Sequence, residues 1–293
     1  MRGARLLSAV AVLAVAAGAL GRATSAPPAL TVAVATRALQ PGELVVLTIT
    51  LDDAPSRLRV HVFDQDLAAF RQTDRVWVAL VGIDIDRTPG RYVADVEAHV
   101  GATLLHASQP LVVAPKAFPT RRLRVDPSFV HPSAAELARI QQDAQFLRGV
   151  YAESAGDRLW TGPIVRPVSE PATSRFGTRS IFNGERRRPH AGADFLSPLG
   201  TPAGAPLGGR IVVARDLFFT GQTVIVDHGL GLFSLLAHLS RLDVHEGDTV
   251  VAGQRLGLVG ATGRVTGPHL HWALTVSGAR VDPMSALAIL GRE

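Results

Sequence analysis

Five side chains able to bind or move charge stand out in a 293-residue chain with no cysteine: His190, Asp194, His238, His269 and His271. Without thiolates, a metal has to be held by imidazole and carboxylate. His269 and His271 are two apart in PHLHW (268–272). In a strand such residues share a face, so both imidazoles would enter one cavity. His190 and Asp194 are four apart in PHAGADF (189–195), where Gly192 and the surrounding Pro189, Pro198 and Pro202 argue for a loop or strand edge, not a helix. His238 lies between, in LFSLLAHLS (232–240). A catalytic zinc typically takes three nitrogen or oxygen ligands and keeps one position open. His190, Asp194 and one histidine of the H-x-H pair can supply them, leaving two histidines to hold or return a proton and to steady an oxyanion. The same donor types occur in iron oxygenases, but an exported, glycine-rich β context argues against that chemistry.

The elements that must position these groups divide the chain. Arg2 and Arg5 precede the apolar run LLSAVAVLAVAAGAL (6–20) and a small-residue zone at Ala23, Thr24, Ser25 and Ala26, which reads as a signal peptide over 1–25. The run is short for a membrane span, so the expectation is export with no anchor after cleavage, to the periplasm or outside the cell. Formal charge falls from +5 to about +2 when Arg2, Arg5 and Arg22 leave, too mild a balance to suggest nucleic-acid binding. Residues 29–114 alternate, as in RLRVHVF (57–63) and at 91–97, with turn chemistry at 40–43, 53–56 and 88–90. They predict a β-sandwich of immunoglobulin type. His61, His99 and His106 fall within it and read as surface or structural, with no carboxylate partner at ligand spacing.

Residues 115–159 read as a linker, marked by Pro119, Pro127 and Pro132 and then by a capping box at Ser133 and Glu136. Leu137, Ile140, Ala144, Leu147 and Tyr151 follow at helical spacing, so 134–151 is expected to be an amphipathic helix packing between the two domains. Residues 160–293 return to short strands, at 210–214, 222–227, 232–238, 256–260 and 270–276. Gly257, Gly260 and Gly263 are not followed by a lysine-serine pair, so they read as turn glycines and not a phosphate cradle. The run Arg186–Arg188 before His190 reads first as a solvated loop and second as a steering patch for an anionic substrate. Arg264 and the loop 261–268 are expected to border the groove.

The segments SRFGTR (174–179), NGERRRPHAGADF (183–195), GTPAGAPLGGRIVVA (200–214), VIVDHGLGLFSLLAHLS (224–240) and VVAGQRLGLVGATGRVTGPHLHW (250–272), with Val281-Asp282-Pro283, closely resemble the lysostaphin/LytM-type zinc metallopeptidases. The resemblance runs nearly continuously from about 160 to 284. It implies a mainly β chain whose C-terminal part is an open, twisted β-domain of the LytM or duplicated-hybrid-motif type, with a groove over one zinc ion. Carried over, the resemblance makes His190, Asp194 and His271 the zinc ligands and His238 and His269 the catalytic pair. It also implies cleavage of peptide cross-links or stem peptides in peptidoglycan. The upstream sandwich is more loosely similar to a domain preceding the peptidase in some exported members. Family members often carry a tyrosine two residues before the catalytic histidine, where this chain has Leu236. A regular strand would put Leu236 on the face of His238, at the rim of the site. From these residues the expected function is an exported zinc metalloendopeptidase acting on peptidoglycan. The other reading is a zinc-retaining exported regulator or wall-binding module that does not cut efficiently.

Overall fold

Alternation of apolar and polar residues builds the N-terminal part into two antiparallel sheets. The computed structural model describes residues 29–124, 131–174 and 176–291. The expected signal peptide, Pro127 of the linker and Arg175 lie outside the described residues. One sheet has the order β1-β2-β6-β5, formed by Leu30–Thr36, Leu44–Leu51, Val76–Gly82 and Ala69–Arg71. The other has the order β4-β3-β7-β8, formed by Gln65–Leu67, Arg57–Val62, Gly90–Val100 and Thr103–Val113. Val45, Leu47 and Ile49 of β2 meet Val60 and Val62 of β3 and Val96 of β7 in one core between the sheets, so residues 29–113 form a two-sheet sandwich in a mainly β chain.

The first sheet is covered on its other face as well. Leu44, Val78 and Leu80 belong to the core of the C-terminal body, which also contains Trp160, Phe195, Leu236, Trp272 and Val276. Burying each such aliphatic side chain stabilises by roughly 1.5–3 kcal/mol, so the two bodies are held by a shared core as well as by polar ties. Arg280 forks onto both carboxylate oxygens of Asp84 at 2.7 and 3.0 Å, and the Leu44 amide donates to Ser285 Oγ at 2.9 Å.

The linker contributes two elements. Thr120–Leu123, β9, lies parallel to Arg179–Phe182, β11, a pairing that sequence pattern did not suggest. Ala134–Ala152, α1, begins at the expected capping box, with the Ser133 amide donating to Glu136 at 2.7 Å. It does not pack between the bodies. Phe146, Leu147, Val150 and Tyr151 instead cover Val213, Ile225, Phe233, Leu235 and Ala237 on one face of the C-terminal sheet. The apolar face is therefore shifted from the expected one, and Leu137 in the first turns stays exposed.

That C-terminal sheet contains Ala172–Ser174 (β10), Gly192–Phe195 (β13), Leu270–Val276 (β20), Leu232–Leu242 (β17), Gly221–Gly229 (β16), Gly209–Leu217 (β15) and Thr249–Val250 (β18), in that spatial order. Pro202–Gly204 (β14) pairs with Arg255–Val259 (β19), which joins β17, and Ala279–Val281 (β21) pairs with β20. The hairpin of β11 with Glu185–Arg186 (β12) and the closing helix Pro283–Leu290 (α2) complete the body. Strand β17 reads as a nearly continuous apolar run because both of its faces are covered. Leu232, Leu236 and Leu239 enter the main core, while Phe233, Leu235 and Ala237 lie under α1.

Candidate metal centre

Strand register brings the first two donors together. In the antiparallel pair β13–β20, Asp194 is directly opposite His271, and Asp194 Oδ1 lies 2.8 Å from His271 Nδ1. His190 precedes β13. Its backbone is pinned to the chain before β11, the His190 amide donating to the Thr178 carbonyl at 3.0 Å and the Gly177 amide to the His190 carbonyl at 2.8 Å. Its Nε2 lies 3.0 Å from Asp194 Oδ1 and 3.1 Å from His271 Nδ1.

Two imidazole nitrogens and one carboxylate oxygen thus converge at mutual distances of 2.8–3.1 Å. In the tautomers that leave both nitrogens unprotonated all three atoms present lone pairs, which a cation among them would satisfy. Ligands about 2.0–2.2 Å from a tetrahedral zinc stand roughly 3.3 Å apart, so a small outward movement suffices to seat the ion. The donor set therefore fits a divalent metal of borderline softness. Among the described residues these three form the one group of this kind.

Gly192 is part of the same construction. A side chain there would collide with the Trp272 carbonyl and bring its Cβ within 2.7 Å of His271 Cε1 and 2.8 Å of Nε2. The sequence spacing used this glycine only to exclude a helix. Its structural role is to leave room for the His271 ring.

His238 reaches the site through an irregularity. Gln222 of β16 faces Leu239 and Val224 faces Leu236, so Ala237 and His238 together oppose the single Thr223. This is a β-bulge, with His238 in the left-handed region at φ 64° and its amide bonded to the Thr220 carbonyl at 2.8 Å. Left-handed backbone at a non-glycine residue costs on the order of 1 kcal/mol and concentrates at functional sites. The bulge also corrects the expectation for Leu236. Leu236 is fully buried in the main core, on the opposite face from Ala237, and does not reach the rim of the site.

His238 and His269 lie beside the triangle with ring centroids 4.7 Å apart and planes tilted by 49°, and His238 lies 6.0 Å from His271. Their tautomers are set by carbonyls. Nδ1 of His238 donates to Thr262 O at 3.0 Å, and Nδ1 of His269 donates to Gly267 O at 2.9 Å. Each Nε2 is therefore an acceptor, and that of His269 stands 3.9 Å from Asp194 Oδ1. All five sequence-predicted residues are brought into one site. Thr262 was missed as the residue that orients His238. Its only signal was a short polar position between Ala261 and Gly263.

Electrostatics lower the proton affinity of two of these imidazoles, His238 and His271. Burial, followed by the neighbouring His271 and His269, pushes His238 down to about 4. Burial likewise lowers His271, against the pull of Asp194. For Asp194 burial opposes ionisation, but the contacts with His190 and His271 outweigh it and hold the carboxyl well below its usual range. A further histidine, His228, has a purely structural setting. It is fully buried, with Nδ1 donating to Gly208 O at 2.8 Å and Nε2 2.9 Å from Ser234 Oγ, and burial lowers it to about 4.

Residues 188–283, which hold all five groups, match the model of peptidase family M23. The chain is 38% identical over 152 residues to the peptidoglycan DD-endopeptidase ShyA of Vibrio cholerae, an alignment covering 51% of this chain and 34% of that one. It is 41% identical over 113 residues to the DD-carboxypeptidase/endopeptidase Mpg of Neisseria meningitidis, covering 39% of this chain and 26% of the relative. The chain thus spans about a third or less of the length of these curated relatives. A crystal structure from Pseudomonas aeruginosa, assigned to peptidase M23, matches with a TM-score of 0.67 and 31% identity over 86% of this chain and 96% of that one. A likeness that extends over nearly the whole of a solved chain, together with a family match centred on the histidine–aspartate cluster, means that this protein belongs to peptidase family M23.

Proposed function

We propose that the chain is an exported zinc metalloendopeptidase that hydrolyses peptide bonds in the stem peptides or cross-links of peptidoglycan. The observation that carries this reading is the convergence of His190 Nε2, Asp194 Oδ1 and His271 Nδ1 within 3.1 Å, beside two further imidazoles of fixed tautomer. The Vibrio relative, a peptidoglycan DD-endopeptidase, supports the substrate class, and the Neisseria DD-carboxypeptidase/endopeptidase supports the reaction.

In this reading His190, Asp194 and His271 hold the ion, and His238 and His269 do the proton work. The chemistry zinc supplies when bound is Lewis acidity, toward a peptide carbonyl and toward water. His238, neutral near pH 7 because burial and its neighbours lower it to about 4, takes a proton at Nε2 as water attacks the carbonyl carbon. The C–N bond then breaks and the proton passes to the leaving amine. His269, held at Nδ1 by the Gly267 carbonyl, presents a second Nε2 that accepts a proton from water and, once it carries one, donates to the oxygen that gains charge. The carbonyl contacts of both rings fix which nitrogen reacts and spare reorganisation during the step. Export follows the signal-peptide reading of residues 1–25 and places the enzyme in the periplasm or outside the cell.

The test is mass spectrometry of soluble products when residues 26–293 digest purified peptidoglycan, beside chelated protein and His238→Ala. New fragments that require both zinc and His238 are expected, and they identify the bond. Absence of fragments from zinc-loaded protein that still retains wall material would replace this reading with the non-cleaving regulator.

A further inference from the structure

The backbone that holds His238 is itself held by the linker helix. The turn between β15 and β16, residues 218–220, supplies the Thr220 carbonyl that accepts from the His238 amide at 2.8 Å. The loop before β20 supplies the Thr262 carbonyl that accepts from His238 Nδ1 at 3.0 Å. Thr262 Oγ1 ties the two together, accepting from the Gln222 amide at 2.9 Å and donating to the Leu239 carbonyl at 2.7 Å. The Arg264 amide adds a bond to the Phe219 carbonyl at 3.0 Å. Two glycines permit this close approach. Gly221 and Gly263 have φ of 60° and 76°, and a Cβ on Gly221 would collide with Thr262, as one on Gly263 would with the Gly221 amide. Turn, loop and bulge form one interlocked unit.

Helix α1 grips this unit from outside the segment that matches the peptidase family, residues 188–283. Phe218 lies just beyond Leu217, the last paired residue of β15, so its amide has left the hairpin ladder. Asp143 Oδ2 accepts from that amide at 2.7 Å, a charge-assisted bond. The helix is seated firmly around it. Arg139 pairs with Asp216, and Arg215 lies over the Phe146 ring at 4.3 Å. Phe146, Leu147, Val150 and Tyr151 cover the sheet face that contains Ala237, the residue that shares the bulge with His238. Arg139, Asp143, Phe146, Leu147 and Val150 follow at three- and four-residue spacing, so one side of α1 carries both the apolar seat and the carboxylate.

We propose that Asp143 is a positioning residue for His238, so that the linker helix completes the catalytic site of this chain. The proposal rests on the peptidase reading for the role of His238 and adds a residue that touches neither metal nor substrate. Asp143 fixes the first residue of the turn. The turn carries the Thr220 carbonyl that sets the bulge, and the bulge sets where His238 Nε2 points. Displacing a reacting group slows the chemical step more than it weakens substrate binding, so the effect falls on kcat and not on KM.

The experiment compares zinc-loaded wild-type protein, residues 26–293, with Asp143→Ala, Asp143→Asn and Arg139→Gln. Turnover of a synthetic cross-linked stem-peptide dimer gives kcat and KM, and elemental analysis gives zinc content. NMR of the histidine Nδ1–H protons reads the bond to Thr262, the His238 resonance being the one lost in His238→Ala. Asp143→Ala should lower kcat about ten-fold at unchanged KM and zinc content, and speed exchange of the His238 Nδ1–H with water. Asp143→Asn keeps an oxygen that accepts from the Phe218 amide and should recover most of both. Arg139→Gln breaks an exposed ion pair of the same helix without touching the turn and should change neither. Where Asp143→Ala does not fold, Asp143→Ser is read by the same outcomes. A wild-type kcat in the shortened variant, an equal loss in Arg139→Gln, or loss of zinc with Asp143 overturns the proposal, the last two because Asp143 would then serve helix docking alone. If no protein cuts the dimer while the His238 resonance still responds to Asp143, the positioning stands and the peptidase reading fails.

Discussion

Imidazole–carboxylate contacts occur in both halves of the molecule, and they differ in kind. In the sandwich, His61 Nδ1 lies 2.7 Å from Asp66 and His106 Nε2 lies 3.4 Å from Asp95, pairs at the surface that form no metal-type group of three among the described residues. Those pairs sit on the open face of regular strands, where each imidazole meets its carboxylate at the surface. In the C-terminal sheet the same residue types are brought inward from β13, β17 and β20, and three donor atoms meet at one point. Two departures from regular β-structure serve the site, the missing side chain at Gly192, which leaves room for the His271 ring, and the bulge that brings His238 beside the three donors. A short His–carboxylate distance therefore says little by itself; convergence imposed by backbone irregularity is the distinguishing mark.

The sharpest way to break that comparison is to remove one donor at a time. His271→Ala should abolish zinc retention by elemental analysis and reduce turnover by about 10³-fold or more, because several kcal/mol of Lewis-acid stabilisation disappear. His238→Ala should keep one zinc per chain yet lose roughly 10²–10⁴ in kcat, the usual worth of a positioned general base. Equal loss of zinc in both variants would show that the division between ligands and proton carriers is misplaced.

The next largest effect is on pH-dependent stability. His228 has its folded pKa lowered to about 4 from an ordinary 6.5, so the unfolded chain binds the proton first as pH falls. Stability is then full above about 6.5 and is lost as pH drops toward 4, by roughly 3 kcal/mol for this group. His238 adds a loss of the same sign in metal-free protein. Urea unfolding of chelated protein from pH 7.5 to 4 should show that slope, and His228→Asn should flatten it. An unchanged slope in the variant would move the effect elsewhere.

Smaller again is the consequence of filling the glycine beside the metal centre. Gly192→Ala places a Cβ against the Trp272 carbonyl and the His271 ring, and overpacking of this kind costs about 1–3 kcal/mol. Gly90→Ala in the sandwich meets nothing closer than Tyr92 at 3.8 Å and should change stability by less than about 0.5 kcal/mol. Differential scanning calorimetry with zinc titration reads both quantities. If Gly192→Ala bound zinc as tightly as wild type, the crowding argument would be wrong.

How much of this was legible beforehand depended on whether the information was local. The strands at 57–62 and 270–276 follow from period-two patterning, and the start of α1 from Ser133 and Glu136. The five site residues were legible because H-x-H spacing and the H-x-G-x-D run are contiguous motifs, reinforced by resemblance. Leu236 was misplaced because one extra residue in β17 reverses the facing of everything after it, and nothing in LFSLLAHLS announces a bulge. The seat of α1 and the pairing of β9 with β11 depend on surfaces distant in sequence, which no window along the chain contains. Gly192 was visible, but the His271 ring it accommodates comes from a strand about 80 residues later.

The least disruptive substitution tests the other side of the comparison. His61 is partly exposed, and its partner Asp66 also accepts from Arg59 at 3.1 Å. Replacing His61 by Gln leaves Asp66 with Arg59 and with water, so neither desolvation nor an orphaned buried charge follows. The expected result is an unchanged unfolding midpoint, one zinc per chain and unchanged cleavage of peptidoglycan. A drop in zinc content or in product yield for His61→Gln would mean that the sandwich imidazoles couple to the metal centre through the shared core at Leu44, Val78 and Leu80. The distinction between surface pairs and convergent donors would then have to be redrawn as a difference of degree.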